Sequence, residues 1–230
     1  MGLNHRGEGR AGELVLRERA GEFEIISNGV FLMDTRNGRS ERLLVHWALQ
    51  RQAQTRPVRG SAPARRVLLG GLGVGWSLAE ALAAPEVAEV VVVEWESAVV
   101  AFNRETTGRR TGGRVDDPRV RCVLDDLVVW LHRPGEAGFD AICLDVDNGP
   151  DWTVAPGNAW LYGASGLSAL QARLAPGGVL GVWSAARSPS FEAGLARHFT
   201  VVERREVPVP RGEPDVVYLA GGSAPSDQDA

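Results

Sequence analysis

From residue 66 onward, short continuous apolar runs alternate with segments whose apolar residues recur at helical spacing. The runs are RVLLG, EVVVVEW, RVRCVL, FDAICLD, GVLGVWS, TVVERREV and DVVYLAG. Continuous apolar runs are typical of strands that are covered on both faces. Their alternation with helical segments predicts a doubly wound, Rossmann-like α/β domain with a seven-stranded sheet.

The segment before residue 66 has a different pattern. Three short strand-like runs, ELVLRER, FEIIS and VFLMD, are separated by Ala-Gly and by Asn28-Gly29, and the second pair is a strong signal for a two-residue hairpin turn. The helical pattern SERLLVHWALQRQA follows, and then TRPVRGSAPAR, whose composition predicts a linker. A small N-terminal β-hairpin piece with a helix therefore precedes the α/β domain.

These patterns divide the chain into four parts. Residues 1–11 and 222–230 are polar and are predicted to be disordered tails. Residues 12–59 form the β-hairpin and helix, and residues 60–221 form the α/β domain.

Composition and charge narrow the possible functions. The net charge of −4 over 230 residues argues against a nucleic-acid-binding surface. No signal peptide or apolar stretch long enough to span a bilayer is recognised, so no membrane partner is expected. Cys122 and Cys143 lie in strand-like runs, which favours reduced thiols and a cytoplasmic location.

The absence of lysine and of clustered metal-ligand residues narrows the possible chemistry further. All 25 basic residues are arginine, so a Schiff-base lysine is excluded. The four histidines are scattered and no cysteine cluster accompanies them, so no metal site is expected.

A glycine-rich turn follows the first strand of the α/β domain. A phosphate-binding loop would need lysine where Trp76 stands, and a dinucleotide fingerprint would need its third glycine at the same position. Gly71, Gly73 and Gly75 instead form a G-x-G-x-G turn, which brings backbone against a nucleoside without cradling a phosphate.

Acidic residues follow the next strands. Glu94 ends the second strand, 19 residues after Gly75, close to the spacing expected for a carboxylate that binds ribose hydroxyls. Asp125 and Asp126 follow the third strand, and Asp145 ends the fourth. Ligands of open α/β sheets bind beyond the carboxyl ends of the strands, so these acids are expected to converge on one crevice. The alternative is that the glycines only permit close packing and Glu94 caps the following helix.

These segments together resemble the spermidine synthase (polyamine aminopropyltransferase) family, which has the class I S-adenosylmethionine methyltransferase fold. The likeness extends from about Gly12 to Gly221. It is carried by VLLGGLGVGWS, VVVVEWESAVV, DDPRVRCVLDDLVVWL, FDAICLDVDNGPDW, LQARLAPGGVLGVWS and NGVFLMDT.

The resemblance implies a role for each candidate residue. Glu94 would bind the ribose and Asp126, with Asp125 beside it, the adenine amino group. The turn containing Gly71, Gly73 and Gly75 would hold the nucleoside and the thioether. Asp145 would be the catalytic carboxylate that orients and deprotonates the attacking amine. Asp147 and Trp152 would contact the acceptor substrate.

The chain departs from the family pattern in its cation-binding positions. Gly73 stands where the family has an aspartate that binds the amine of the decarboxylated donor, and Leu69 stands where many methyltransferases have an acid. The Tyr-His-Glu stretch of the family's polyamine site corresponds to Val45-His46-Trp47, so the tyrosine and the glutamate are missing there.

The sequence therefore predicts a transferase that binds S-adenosylmethionine or decarboxylated S-adenosylmethionine as co-substrate, without a metal. Aminopropyl transfer to a small-molecule amine is the first hypothesis. Methyl transfer to a small molecule and a nucleoside-binding relative without turnover are the alternatives. A homodimer is a further possibility, and the acceptor's identity stays open.

Overall fold

The computed structural model describes residues 4–10, 12–55 and 65–222, and it contains two sheets. The small sheet is antiparallel, with strand order β1-β2-β3-β4. Its strands are β1 (Asn4–Gly9), β2 (Gly12–Arg19), β3 (Glu22–Ser27) and β4 (Val30–Asp34).

The large sheet has seven strands in the order β10-β11-β9-β8-β5-β6-β7, which confirms the predicted fold class. Strands β5 to β9 pair in parallel, and β11 and β10 complete the edge in antiparallel pairing. The strands are β5 (Arg65–Gly70), β6 (Val87–Glu94), β7 (Val120–Leu124), β8 (Phe139–Leu144), β9 (Leu174–Ser184), β10 (Val201–Val207) and β11 (Asp215–Gly221).

Helices cover both faces of the large sheet. They are α1 (Arg39–Thr55), α2 (Trp76–Ala83), α3 (Ser97–Phe102), α4 (Gly108–Thr111), α5 (Leu127–His132), α6 (Ala159–Tyr162), α7 (Ala164–Arg173) and α8 (Pro189–His198). A π-helical turn (Asn103–Thr107) joins α3 to α4, and a 3-10 turn (Pro156–Asn158) precedes α6. Within the described ranges, no helix has the length and apolarity to cross a bilayer.

The continuous apolar runs fold as strands because both of their faces are buried. In β6, Val90, Val91 and Val92 have no exposed surface, with alternate side chains directed into two separate cores. One core contains α1, α2 and α3, and the other contains α5, α7 and α8. This arrangement leaves the carboxyl ends of the central strands as the place where polar side chains can meet.

The Asn28-Gly29 pair forms the predicted two-residue hairpin turn between β3 and β4. Ser27 pairs with Val30, and the φ angles of Asn28 and Gly29 are 49° and 81°. Positive φ at both central residues suits the right-handed twist of the flanking strands. The turn directs β4 back over the glycine-rich turn of the α/β domain, where Met33 lies against Gly73.

Part of the predicted N-terminal tail is a strand. Residues 4–9 form β1, which pairs with β2 along its whole length. Backbone pairing does not require apolar side chains, so a polar composition did not indicate the strand. Gly7 allows the backbone to lie against α3, because a Cβ there would come within 2.8 Å of the Ala98 Cβ.

The predicted boundary at residue 59 also differs from the packing. Helix α1 was expected to belong to the hairpin piece, yet Leu44 and Ala48 pack on Gly181 in the middle of the large sheet. Helix α1 is thus a covering layer of the α/β domain. Residues 56–64 of the predicted linker, and residues 1–3, 11 and 223–230 of the predicted tails, lie outside the described residues.

Candidate active site

The strand order reverses between β5 and β8, and the acids of the candidate site lie at that point. Strand β5 leads by way of α2 to β6 on one side, while β8 leads to β9 on the other. Two adjoining cavities open at these strand ends, and we name them for their most distinctive acid. They share the lining residues Leu32, Met33, Gly73, Asp145, Val146 and Val154.

The Glu94 cavity has a volume of about 170 Å³ and combines carboxylates with apolar side chains. Its other lining residues are Leu14, Ser27, Gly71, Val93, Glu94, Trp95, Glu96, Val99, Asp125, Asp126, Leu127 and Asn158. The structure therefore brings Gly71, Gly73, Glu94, Asp125, Asp126 and Asp145 together, as expected from the sequence. Mixed apolar walls with a few polar groups are typical of a small-molecule site.

Glu94 is held by the backbone on either side of it. Its Oε2 accepts a hydrogen bond from the Leu72 N–H (2.8 Å), and its Oε1 accepts one from the Glu96 N–H (2.8 Å). The side chain is buried, and this burial raises the carboxyl pKa while the backbone hydrogen bonds oppose the rise. Glu94 thus connects the glycine-rich turn to the end of β6 and still presents lone pairs to the cavity.

Asp126 is the N-cap of α5. Its Oδ1 accepts hydrogen bonds from the Val128 N–H (2.7 Å) and the Val129 N–H (3.3 Å). The neighbouring Asp125 accepts from the Asp126 N–H (2.9 Å) and forms an ion pair with Arg133 (2.5 Å). Each acid therefore has a structural role as well as a place on the cavity wall.

Asp145 lies where the two cavities join. Burial, together with the nearby acids Glu41 and Asp215, raises the pKa of its carboxyl to about 8. A carboxyl in this range can exchange a proton near neutral pH. Asp145 therefore places a carboxyl with a raised pKa at the junction of the two cavities.

The Glu41 cavity, about 130 Å³, is the second acidic space. Besides the shared residues it is lined by Glu41, Leu72, Val74, Trp76, Ser77, Asp147, Asn148 and Trp183. Burial raises the pKa of Glu41, and Asp215 and Asp34 raise it as well. Among the described residues that line the two cavities, none has a basic side chain.

Sequence reasoning missed Glu41. It expected the family's glutamate at Trp47 and therefore inferred that this acid was lost, whereas the first turn of α1 brings Glu41 into the cavity. Val45 is fully buried and the His46 side chain is 53% exposed beside Glu80. The sequence signal for Glu41 was weak, because an acid in the first turn of a helix is already favoured by the helix dipole.

Gly73, the position at which the resemblance would place a donor-binding aspartate, faces Met33. A Cβ at Gly73 would come within 2.9 Å of the Met33 Sδ, and the φ angle of Gly73 is +53°. The methionine of β4 thus occupies the space next to this position. The junction between the cavities is apolar apart from Asp145, since Leu32, Val146 and Val154 also line it.

Asp147 lines the Glu41 cavity, as expected, and is also bound by its own loop, whereas Trp152 and Gly75 line neither cavity. The Asp147 carboxylate accepts from the Val154 N–H (2.6 Å), the Asn158 amide (2.9 Å) and the Tyr162 hydroxyl (2.9 Å), so it fixes the loop after β8. Trp152 is 68% exposed and lines neither cavity, because the turn at Gly149 directs it outward. Gly75 lies behind the cavities against Asn103 and Gly113.

The sequence comparisons identify relatives over part of the chain, although no family model matches it. A polyamine aminopropyltransferase of Mycobacterium tuberculosis is 36% identical over 119 residues, which are 51% of this chain and 22% of that relative. One of Aeropyrum pernix is 30% identical over 141 residues, or 61% of this chain and 43% of the relative. The chain thus matches less than half the length of these curated relatives.

The structural comparisons cover almost the whole chain. Spermidine synthase from Thermotoga maritima aligns with a TM-score of 0.71 and 17% identity over 96% of this chain and 73% of that one. Human methyltransferase-like protein 13, in complex with SAH, aligns with a TM-score of 0.58 and 18% identity over 81% of each chain. At these identities the structures show a common fold.

The segments that carried the resemblance thus form one site at the switch point of this fold. The chain is similar in sequence to polyamine aminopropyltransferases over about half of its length, and it has the fold of spermidine synthase.

Proposed function

We propose that the protein transfers an aminopropyl group from decarboxylated S-adenosylmethionine to a small amine. The observation that carries this proposal is the pair of adjoining acidic cavities that meet at Asp145, with no basic residue among the described lining residues. A sulfonium donor and an ammonium acceptor are both cations, and buried carboxylates without cationic partners favour them.

The Glu94 cavity suits the nucleoside of the donor. Glu94 would accept hydrogen bonds from the ribose hydroxyls, and the outer oxygen of Asp126 would accept one from the adenine amino group. Leu127 and Val99 supply apolar surface beside these acids, as the flat faces of a base require. The turn at Gly71 and Gly73 would bring backbone close to the thioether.

The Glu41 cavity suits the acceptor. An amine nitrogen at Asp145 would attack the carbon next to the sulfonium. The carbon–sulfur bond would break with its electron pair moving to sulfur, which leaves methylthioadenosine. The proton of the attacking amine would pass to Asp145, and Glu41 would hold a second ammonium group of the acceptor.

The first prediction concerns the choice of donor. Calorimetry should show that decarboxylated S-adenosylmethionine binds more tightly than S-adenosylmethionine, since a donor carboxylate would enter cavities lined by acids without a basic partner. Methylthioadenosine, which lacks both charged groups of the tail, serves as the reference. Tighter binding of S-adenosylmethionine, together with methyl transfer, would instead support the methyltransferase alternative.

The second prediction concerns Glu94. Glu94→Gln should weaken methylthioadenosine binding by about ten- to a hundredfold, because charge-assisted hydrogen bonds to the ribose contribute about 1.5–3 kcal/mol. Glu96→Gln is the matched control, since Glu96 lines the same cavity but accepts hydrogen bonds from the Arg10 N–H. A dissociation constant that is unchanged in Glu94→Gln would remove this residue from the ribose site.

The third prediction separates the two roles of Asp126. In Asp126→Asn the amide oxygen can still cap α5, so the melting temperature should stay close to that of the wild type. The amide NH₂ would then face the cavity and could no longer accept from the adenine amino group. Methylthioadenosine should bind roughly tenfold more weakly than to the wild type. Methylthioinosine has a carbonyl in place of the adenine amino group, so its affinity should rise relative to that of methylthioadenosine. Equal losses for both nucleosides would contradict the adenine contact.

The fourth prediction concerns Asp145 as the base. Asp145→Asn should lower turnover by about 10²–10⁴-fold and leave methylthioadenosine binding nearly intact. In the wild type, kcat/KM should rise with pH as the carboxyl ionises near its pKa of about 8. Wild-type turnover in a stable Asp145→Asn protein would contradict the proposed mechanism.

The same substitution has an expected effect on stability. Since the folded-state pKa of Asp145 is raised above its ordinary value, the folded protein binds the proton more tightly than the unfolded chain does. Its ionisation therefore lowers the free energy of unfolding as pH rises from about 4 to about 8. Above pH 8, Asp145→Asn should therefore have a higher melting temperature than the wild type, and near pH 4 the two melting temperatures should be equal. Thermal denaturation at both pH values measures this difference.

A further inference from the structure

Trp76 occupies a distinctive place in the Glu41 cavity. It is the first residue of α2, directly after the glycine-rich turn, and it lines the Glu41 cavity but not the Glu94 cavity. The indole is therefore a wall of the space assigned to the acceptor and has no contact with the nucleoside space.

The ring is fixed from two sides. A Cβ at Gly38 would come within 2.0 Å of the indole, so only glycine leaves room for the ring there. The Arg42 guanidinium lies 4.5 Å from the ring centroid. Arg42 is itself held, since it donates to the Thr111 carbonyl oxygen (3.2 Å) and pairs with Glu80 (3.5 Å). The indole is thus a rigid wall of the cavity.

The lining residues place this wall in the part of the Glu41 cavity that is not shared with the Glu94 cavity. Asp145 belongs to the junction that both cavities share, whereas Trp76, Ser77 and Glu41 line the Glu41 cavity alone. The Ser77 hydroxyl donates to the Glu41 carbonyl oxygen (3.3 Å), which places the start of α2 beside the start of α1. An acceptor extending from Asp145 toward Glu41 would therefore meet the indole.

We propose that Trp76 determines the maximum length of the acceptor amine, as a rigid wall of the Glu41 cavity beside Glu41. This inference rests on the proposed aminopropyl transfer. It makes a short aliphatic diamine the preferred substrate and excludes a triamine that would extend past Glu41. The ring acts through its bulk, because the buried indole N–H has no hydrogen-bond partner among the described residues.

The test compares putrescine, cadaverine and spermidine as acceptors. Trp76→Ala should raise the ratio of kcat/KM for spermidine to that for putrescine by at least about tenfold, since one methylene group in an apolar pocket changes selectivity by roughly 10–200-fold. Trp76→Phe keeps an aromatic wall without the N–H and should retain the wild-type order of acceptors. Trp76→Leu keeps an apolar side chain in the helix and should give a spermidine-to-putrescine ratio between those of the wild type and Trp76→Ala. It replaces Trp76→Ala in the test if that variant does not fold.

Binding of the same amines, measured by calorimetry in the presence of methylthioadenosine, separates this inference from the proposed function. A wild type that prefers putrescine in binding but transfers no aminopropyl group would overturn the proposed function, and loss of that preference in Trp76→Ala would still support the role of Trp76. Turnover with an unchanged spermidine-to-putrescine ratio in Trp76→Ala or Trp76→Leu would overturn the role of Trp76 and leave the proposed function intact.

Discussion

The site depends on one close approach of two backbone segments. At the switch point, the turn after β5 lies against the end of β8, and a Cβ at Gly71 would come within 2.5 Å of the Asp145 carbonyl oxygen. Gly71 also has a φ angle of +89°, so a side chain at this position would be both strained and blocked. The Asp145 N–H donates to the Gly70 carbonyl oxygen (3.0 Å), which fixes the two strand ends together. This contact brings Asp145 to the junction of the two cavities.

The second constraint is that the neighbouring carboxylates Asp145 and Asp147 have different surroundings. Asp147 accepts three hydrogen bonds from its own loop, which compensates for its burial. Asp145 instead has the acids Glu41 and Asp215 around it, and these raise its pKa together with burial. The charged form of Asp145 is therefore disfavoured until a cation enters, whereas the oxygens of Asp147 already have hydrogen-bond donors in the protein. This difference supports a binding role for Asp145 and a structural role for Asp147.

The N-terminal sheet covers the site. Leu32 and Met33 of β4 line both cavities, and Met33 lies next to Gly73. On the other side of the small sheet, the Arg10 N–H donates to Glu96 at the rim of the Glu94 cavity. The N-terminal sheet and the glycine-rich turn after β5 belong to different sheets. The shape of the cavities therefore depends on how these two sheets pack against each other.

The sequence by itself determined the α/β architecture, the hairpin turn and the glycine-rich turn followed by Glu94. These features are local: continuous apolar runs, an Asn-Gly pair and a fixed spacing each have a short-range physical cause. Tertiary structure alone brought Glu41 and Trp76 into one cavity, directed Trp152 outward and paired β1 with β2. These contacts join residues that are distant in the chain or that lack a distinctive pattern. The strand ends must first be assembled before such side chains meet, so the local sequence carried at most a weak signal for them.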